Sequence, residues 1–171
     1  MDWKPERLYF LAQGIAERTP RFFETKGPGM GDRASLEYMR NLRTAALGLF
    51  GKDFSEIRVS KGVAFAIDFV FLDECTAVEV ALGLHNSLTE YERDIFKCLL
   101  AQQAGQQIRR LIFIAKPGGI AKQMAPGPKA IAQLVASKFG LQVEILELVP
   151  KPEAVAAEHN VRPQPIQEAP R

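Results

Sequence analysis

Between Val63 and Leu72 the chain reads Val-Ala-Phe-Ala-Ile-Asp-Phe-Val-Phe-Leu, an apolar run broken at a single position, Asp68. Aromatic and β-branched residues at this density favour a strand, and a strand apolar on both faces belongs inside a helix-covered sheet. Side chains alternate along a strand, so Asp68 is expected on one face with Ala64, Ala66, Val70 and Leu72. Phe65, Ile67, Phe69 and Phe71 would then occupy the other face. The next segment, Thr76 to Leu82, repeats the pattern: Glu79 falls between Ala77 and Ala81, with Val78, Val80 and Leu82 opposite. A carboxylate in mid-sheet is costly to desolvate unless it is paired, protonated or bound to a cation. Asp73-Glu74 makes the turn that renders the two strands neighbours, and two such carboxylates repel unless a cation lies between them. Sparse hard oxygen ligands that leave room for water and a phosphate suit Mg²⁺ or Mn²⁺. Taken singly, either acid is better explained by a solvent-facing edge strand or an ion pair with Arg58 or Lys61. The pair on adjacent strands favours the cation.

Around these strands the periodicity alternates. Leu8, Leu11, Ala12 and Ile15 are spaced as on a helix from Pro5 to Glu17, stopped by Thr19-Pro20. After the Lys26–Gly31 loop, Gly31 or Asp32 caps a second helix to about Phe50, with Leu36, Met39, Leu42, Ala46, Leu49 and Phe50 inward. Gly51 ends it. Glu56 to Ser60 is a short strand. Ser87 with Glu90 forms a capping box, as does Thr89 with Glu92, so a third helix begins near 88 and runs to about Gln103. Arg110 to Ala115 is an almost fully apolar strand. Lys116 to Pro128 reads as a loop, Lys129 to Phe139 as a helix closed by Gly140, and Leu141 to Val149 as a last strand. The expected architecture is thus an αβββαβαβ core in which helices flank a central mixed sheet. Residues 1–149 form one α/β domain, and 150–171, rich in proline and poor in apolar residues, a flexible tail.

The 171 residues carry a net charge of only +2, but unevenly. Residues 61–100 hold 3 basic and 7 acidic side chains, whereas 101–150 hold 6 and 2. An acidic middle beside a basic flank suits a phosphodiester enzyme, which needs carboxylates for a cation and Lys or Arg for phosphates. The N-terminus lacks a signal peptide's layout and no apolar run is long enough to span a membrane, so a cytoplasmic protein is expected. Cys75 and Cys98 have no partner at zinc-site spacing and read as buried or incidental thiols.

This element order, with Ile67-Asp68-Phe69 on one strand and Ala77-Val78-Glu79-Val80-Ala81 on the next, resembles the PD-(D/E)XK, or restriction-endonuclease-like, nuclease superfamily. The resemblance spans residues 31 to about 149. It implies a magnesium site at a splayed sheet edge built from Asp68, Glu79 and the Val80 carbonyl, and a Mg²⁺-dependent endonuclease or other nuclease acting on DNA. It also implies a Lys two residues past the Glu, and there this chain has Ala81.

Without that Lys, activating water and stabilising the pentavalent phosphate fall more heavily on the metal. Some family members supply the Lys from the following helix, where Lys97 is the candidate. A wheel anchored on Leu88, Ile95 and Leu99 puts Lys97 far from the inward face, as a surface residue paired with Asp94, although its long stem can reach a helix edge. The same wheel puts Glu92 inward, as an auxiliary acid or only as the acid of its capping box. Glu37, between Arg33 and Arg40, is a further auxiliary position, though an ion-paired solvated stripe explains it more simply. Lys116, Lys122 and Lys129 read as phosphate contacts or as ordinary solubilising lysines, and His85 as a residue at the site's edge, though a lone His is more often structural.

Three classes of function follow: a metal-dependent nuclease, a nuclease-fold protein that binds nucleic acid or a protein partner without cutting, and an unrelated α/β domain with structural carboxylates. For a nuclease of this length, specificity would come from loops, from a homodimer or from a partner.

Overall fold

The computed structural model describes residues 3–24, 31–84 and 88–151. Its elements are α1 (Lys4–Arg18), α2 (Gly31–Phe50), β1 (Ser55–Arg58), β2 (Ala66–Phe71), β3 (Thr76–Ala81), α3 (Leu88–Gln103), β4 (Arg110–Ala115), α4 (Gly119–Gln123), α5 (Pro126–Phe139) and β5 (Gln142–Glu147). The strands form one mixed sheet in the order β1-β2-β3-β4-β5. β1, β2 and β3 pair antiparallel, while β3, β4 and β5 pair parallel. A parallel pair requires a crossover, which α3 supplies between β3 and β4, and α4 with α5 between β4 and β5. Two successive crossovers of one hand, stepping the same way along the sheet, put their helices on one face.

The core divides accordingly. Tyr91, Ile95, Cys98 and Ala101 of α3 and Val135 of α5 pack on Ala77, Ala81, Leu111, Phe113 and Ile145. On the other face, Leu8, Ala12 and Ile15 of α1 and Tyr38, Leu42 and Ala46 of α2 cover Phe69, Phe71, Val78, Val80, Ile112 and Ile114. β4 is covered on both sides, as its unbroken apolar sequence requires. Among the described residues no helix is long and apolar enough to cross a membrane.

Several expectations are corrected. The stretch 116–128 is not a loop: it holds α4 and the start of α5. Pro126 and Pro128 do not break α5, because they occupy its first turn, where backbone N–H groups have no intrahelical partner to lose. Leu36 and Leu49 of α2 are exposed, and Tyr38 takes the buried position, its hydroxyl donating to the Ala12 carbonyl at 3.0 Å. β2 begins at Ala66 rather than Val63. The side chains of Asp32 and Leu88, the residues His85 and Ser87, the Gly-rich segment 27–30 and the tail from 152 lie outside the described residues.

Candidate active site

Both pairings of β2 fail at Asp68. On the β1 side the register runs Ser55↔Phe69 and then Ile57↔Ile67, omitting Glu56 opposite Asp68. Glu56 has φ +52°, a left-handed conformation disfavoured for a residue with a Cβ. On the β3 side pairing runs from Phe71↔Thr76 to Phe69↔Val78 and stops one step short of Asp68 opposite Glu79. The alternation of β2 breaks here too. Ile67 packs with the α3 core whereas Phe69 and Phe71 pack with the α1/α2 core, so the expected common face for the three does not exist.

The carboxylates replace the missing ladder. Asp68 Oδ2 accepts the Val80 N–H at 2.9 Å, and the Asp68 N–H approaches Glu79 Oε2 at 3.4 Å. From α2, Arg43 Nη2 reaches Asp68 Oδ1 at 3.3 Å and also pairs with Glu56. From α3, Lys97 Nζ lies 3.0 Å from Glu79 Oε1 and 2.8 Å from Asp94 Oδ1. Glu79 and Asp94 are both 2% exposed. The cations beside the two acids are thus Arg43 and Lys97, not Arg58 or Lys61.

Lys97 reaches the sheet because α3 is rotated relative to the expected wheel. Its buried stripe is Tyr91, Asp94, Ile95, Cys98 and Ala101. Lys97 then lies only about 100° from the stripe's centre at 100° per residue. Its ammonium joins a flank shared with Glu90 and Asp94, positions i, i+4 and i+7. Glu92, expected inward, is exposed, and Glu90 takes that place. Glu37 is also exposed and lines a depression with Arg33, Leu36 and Arg40 that does not include the two strand acids. Lys116 turns to the Phe22 carbonyl and ring instead of the cleft. Ala81, where the resemblance expects Lys, is buried in the core beside α3.

These residues line a cleft of about 430 Å³ between α2, α3 and the end of the β2/β3 pair. Four acids (Asp68, Glu79, Glu90, Asp94) and four bases (Arg40, Arg43, Arg93, Lys97) face it. Glu79 and Asp94 lie buried at its base, while Arg40 and Arg93 are exposed at its rim. Burial, and then the neighbouring Asp68 and Asp94, push Glu79 up to about 9, against the opposing pull of Lys97. Glu90 is raised by burial and by Asp94. For Lys97, burial acts downward, but Glu79 and Asp94 outweigh it and hold the ammonium protonated. The inner part of the cleft therefore favours an added positive charge, which a proton on Glu79 or a cation can supply. Among the described residues no three His, Cys, Asp or Glu side chains already stand as a ready ligand set.

From sequence Glu90 reads only as a capping-box acid and Asp94 only as the partner of a surface Lys97, a pairing the structure keeps but buries, while Arg43 carries no signal. The i, i+4, i+7 spacing of Glu90, Asp94 and Lys97 was the available signal for two of them; Arg43 depends on how α2 crosses the sheet. No family model, curated protein or solved structure matches the chain.

Proposed function

We infer that the protein is a metal-dependent phosphodiester hydrolase acting on DNA, a nuclease of the PD-(D/E)XK type with the restriction-endonuclease-like core. The observation that carries this reading is the buried Glu79 carboxylate, set beside Asp68 where β2 and β3 stop pairing and touched by the Lys97 ammonium. Asp68 and Glu79, with the Val80 carbonyl, would hold Mg²⁺ or Mn²⁺; hard oxygen donors and surplus buried negative charge fit such an ion. When bound, the ion supplies Lewis acidity toward a phosphodiester oxygen. Lys97 stands in for the Lys that Ala81 displaces, its ammonium stabilising negative charge as it grows on the phosphate. Arg40 and Arg93 at the rim suit the flanking phosphates of a nucleic-acid backbone. The acids deep in the cleft and the arginines outside them have the polarity such a substrate requires.

A second reading, a nuclease-fold protein that binds DNA without cutting it, is favoured by one observation. Both strand acids already have resident cations, Arg43 on Asp68 and Lys97 on Glu79. One assay separates the two. With Mn²⁺ and a pool of linear, circular and branched DNA, the wild type is expected to cleave and Glu79→Ala to be inert. DNA binding with a steep salt dependence but no cleavage would replace the first reading with the second.

A further inference from the structure

Asp94 is a carboxylate with no obvious reason to be where it is. It is 2% exposed, on the face of α3 that packs against the sheet, and it adds negative charge beside Glu79, itself buried. Such a group is destabilising unless its partners more than offset its desolvation. Its partners are Lys97 Nζ at 2.8 Å and, less closely, Arg93 Nε at 3.3 Å. Lys97 is therefore held from two sides, by Glu79 on the strand and by Asp94 on its own helix.

This double hold matters once a cation takes Glu79. An ammonium on a flexible four-carbon stem, left with Glu79 as its one direct acid contact, competes with the cation for that carboxylate. With Asp94 one turn away, it gives up one contact and keeps the other, remaining at the edge of the site. We propose that Asp94 is the positioning residue that receives Lys97 when a metal ion occupies Glu79, so that metal and ammonium share the site instead of excluding one another. The proposal rests on the metal-dependent reading above.

A double-mutant cycle tests it, read by calorimetric titration of the full chain with Mn²⁺ alone. Asp94→Asn keeps the shape and removes the charge; Lys97→Met keeps the stem and removes the ammonium. With Lys97 present, Asp94→Asn should weaken Mn²⁺ binding about tenfold or more, the usual scale for losing a residue that supports a ligand. In the Lys97→Met background the same change should cost about threefold or less, reflecting only the loss of one nearby negative charge. Equal losses in both backgrounds would overturn the proposal while leaving the metal reading intact. No Mn²⁺ binding by the wild type would remove both. Metal-free melting checks that each variant folds, and Lys97→Gln provides the second background if Lys97→Met does not. As a second readout, Asp94→Asn should lower kcat at saturating Mn²⁺ in the Lys97 protein and have no further effect in the Lys97→Met one.

Discussion

The Asp68 carboxylate accepts the Val80 amide at 2.9 Å across the gap where β2 and β3 no longer pair, so one side chain closes the sheet and faces the cleft. The two roles come apart on substitution. Asn can still accept from Val80, and Asp68→Asn should melt within about 1 kcal/mol of the wild type while losing the rise in melting temperature that Mg²⁺ or Mn²⁺ gives by mass action. Asp68→Ala also strands a buried amide and should cost about 1–3 kcal/mol. An undiminished metal response in Asp68→Asn would remove Asp68 from the ligand set.

The second prediction concerns pH. Glu79 is held at about 9 in the fold, against an ordinary 4.5, by burial and by Asp68 and Asp94. The folded state therefore binds a proton that the unfolded chain releases between these values. The stabilisation from Glu79 is complete below about 4.5 and is lost as pH rises through about 9. In metal-free buffer the wild type should thus lose melting temperature across this window relative to Glu79→Gln, which carries no titrating group there. Metal affinity should move the opposite way, strengthening with pH as the proton leaves. Parallel melting curves for the two proteins would show that Glu79 does not titrate in that range.

Lys97 touches two buried acids, Asp94 and Glu79, of which Glu79 carries its own proton below about 9 in the metal-free fold. Lys97→Met should destabilise the metal-free protein by about 3 kcal/mol, the low end for breaking a buried pair, since Glu79 already holds a proton and Asp94 alone is left without its cation. If the ammonium also stabilises the transition state, cleavage should fall by roughly 10- to 1000-fold at saturating metal. A wild-type rate in this variant would leave Lys97 a structural counter-ion only.

Deleting residues 152–171 tests the domain boundary read from sequence. The segment has too few apolar residues to offset the entropy of ordering it, so the melting temperature should be nearly unchanged. A loss above about 2 kcal/mol would show that the tail is docked.

Much of this arrangement was legible beforehand, and the misses around the candidate site share a cause. β4 and α3 lie at the residues expected of them, because a solid apolar run and a capped amphipathic segment are local signals. The two strand acids were also legible, since a charge inside an apolar run is visible without a structure. What failed depended on packing. The helical wheel of α3 anchored on Leu88, Ile95 and Leu99 is right for Ile95, yet the face that packs also carries Tyr91, Asp94 and Cys98, and that rotation exchanges Glu92 for Glu90. The break at Asp68 involves Glu56 and Glu79 on different strands, and Arg43 on a helix of the opposite layer. No window along the chain contains all four.

Because the end of the β2/β3 pair is closed by carboxylate oxygens instead of main-chain carbonyls, selection for a folded protein and selection for chemistry act on the same atoms. A lineage that abandoned cleavage would still be held to Asp68, since losing it would leave the Val80 amide unpaired and Arg43 without one of its two acids. If the chain is the nuclease proposed above, the acid pair can therefore outlive cleavage. On the nuclease reading, an inactive descendant would first show its loss elsewhere, in the exposed rim arginines Arg40 and Arg93, where folding asks for less.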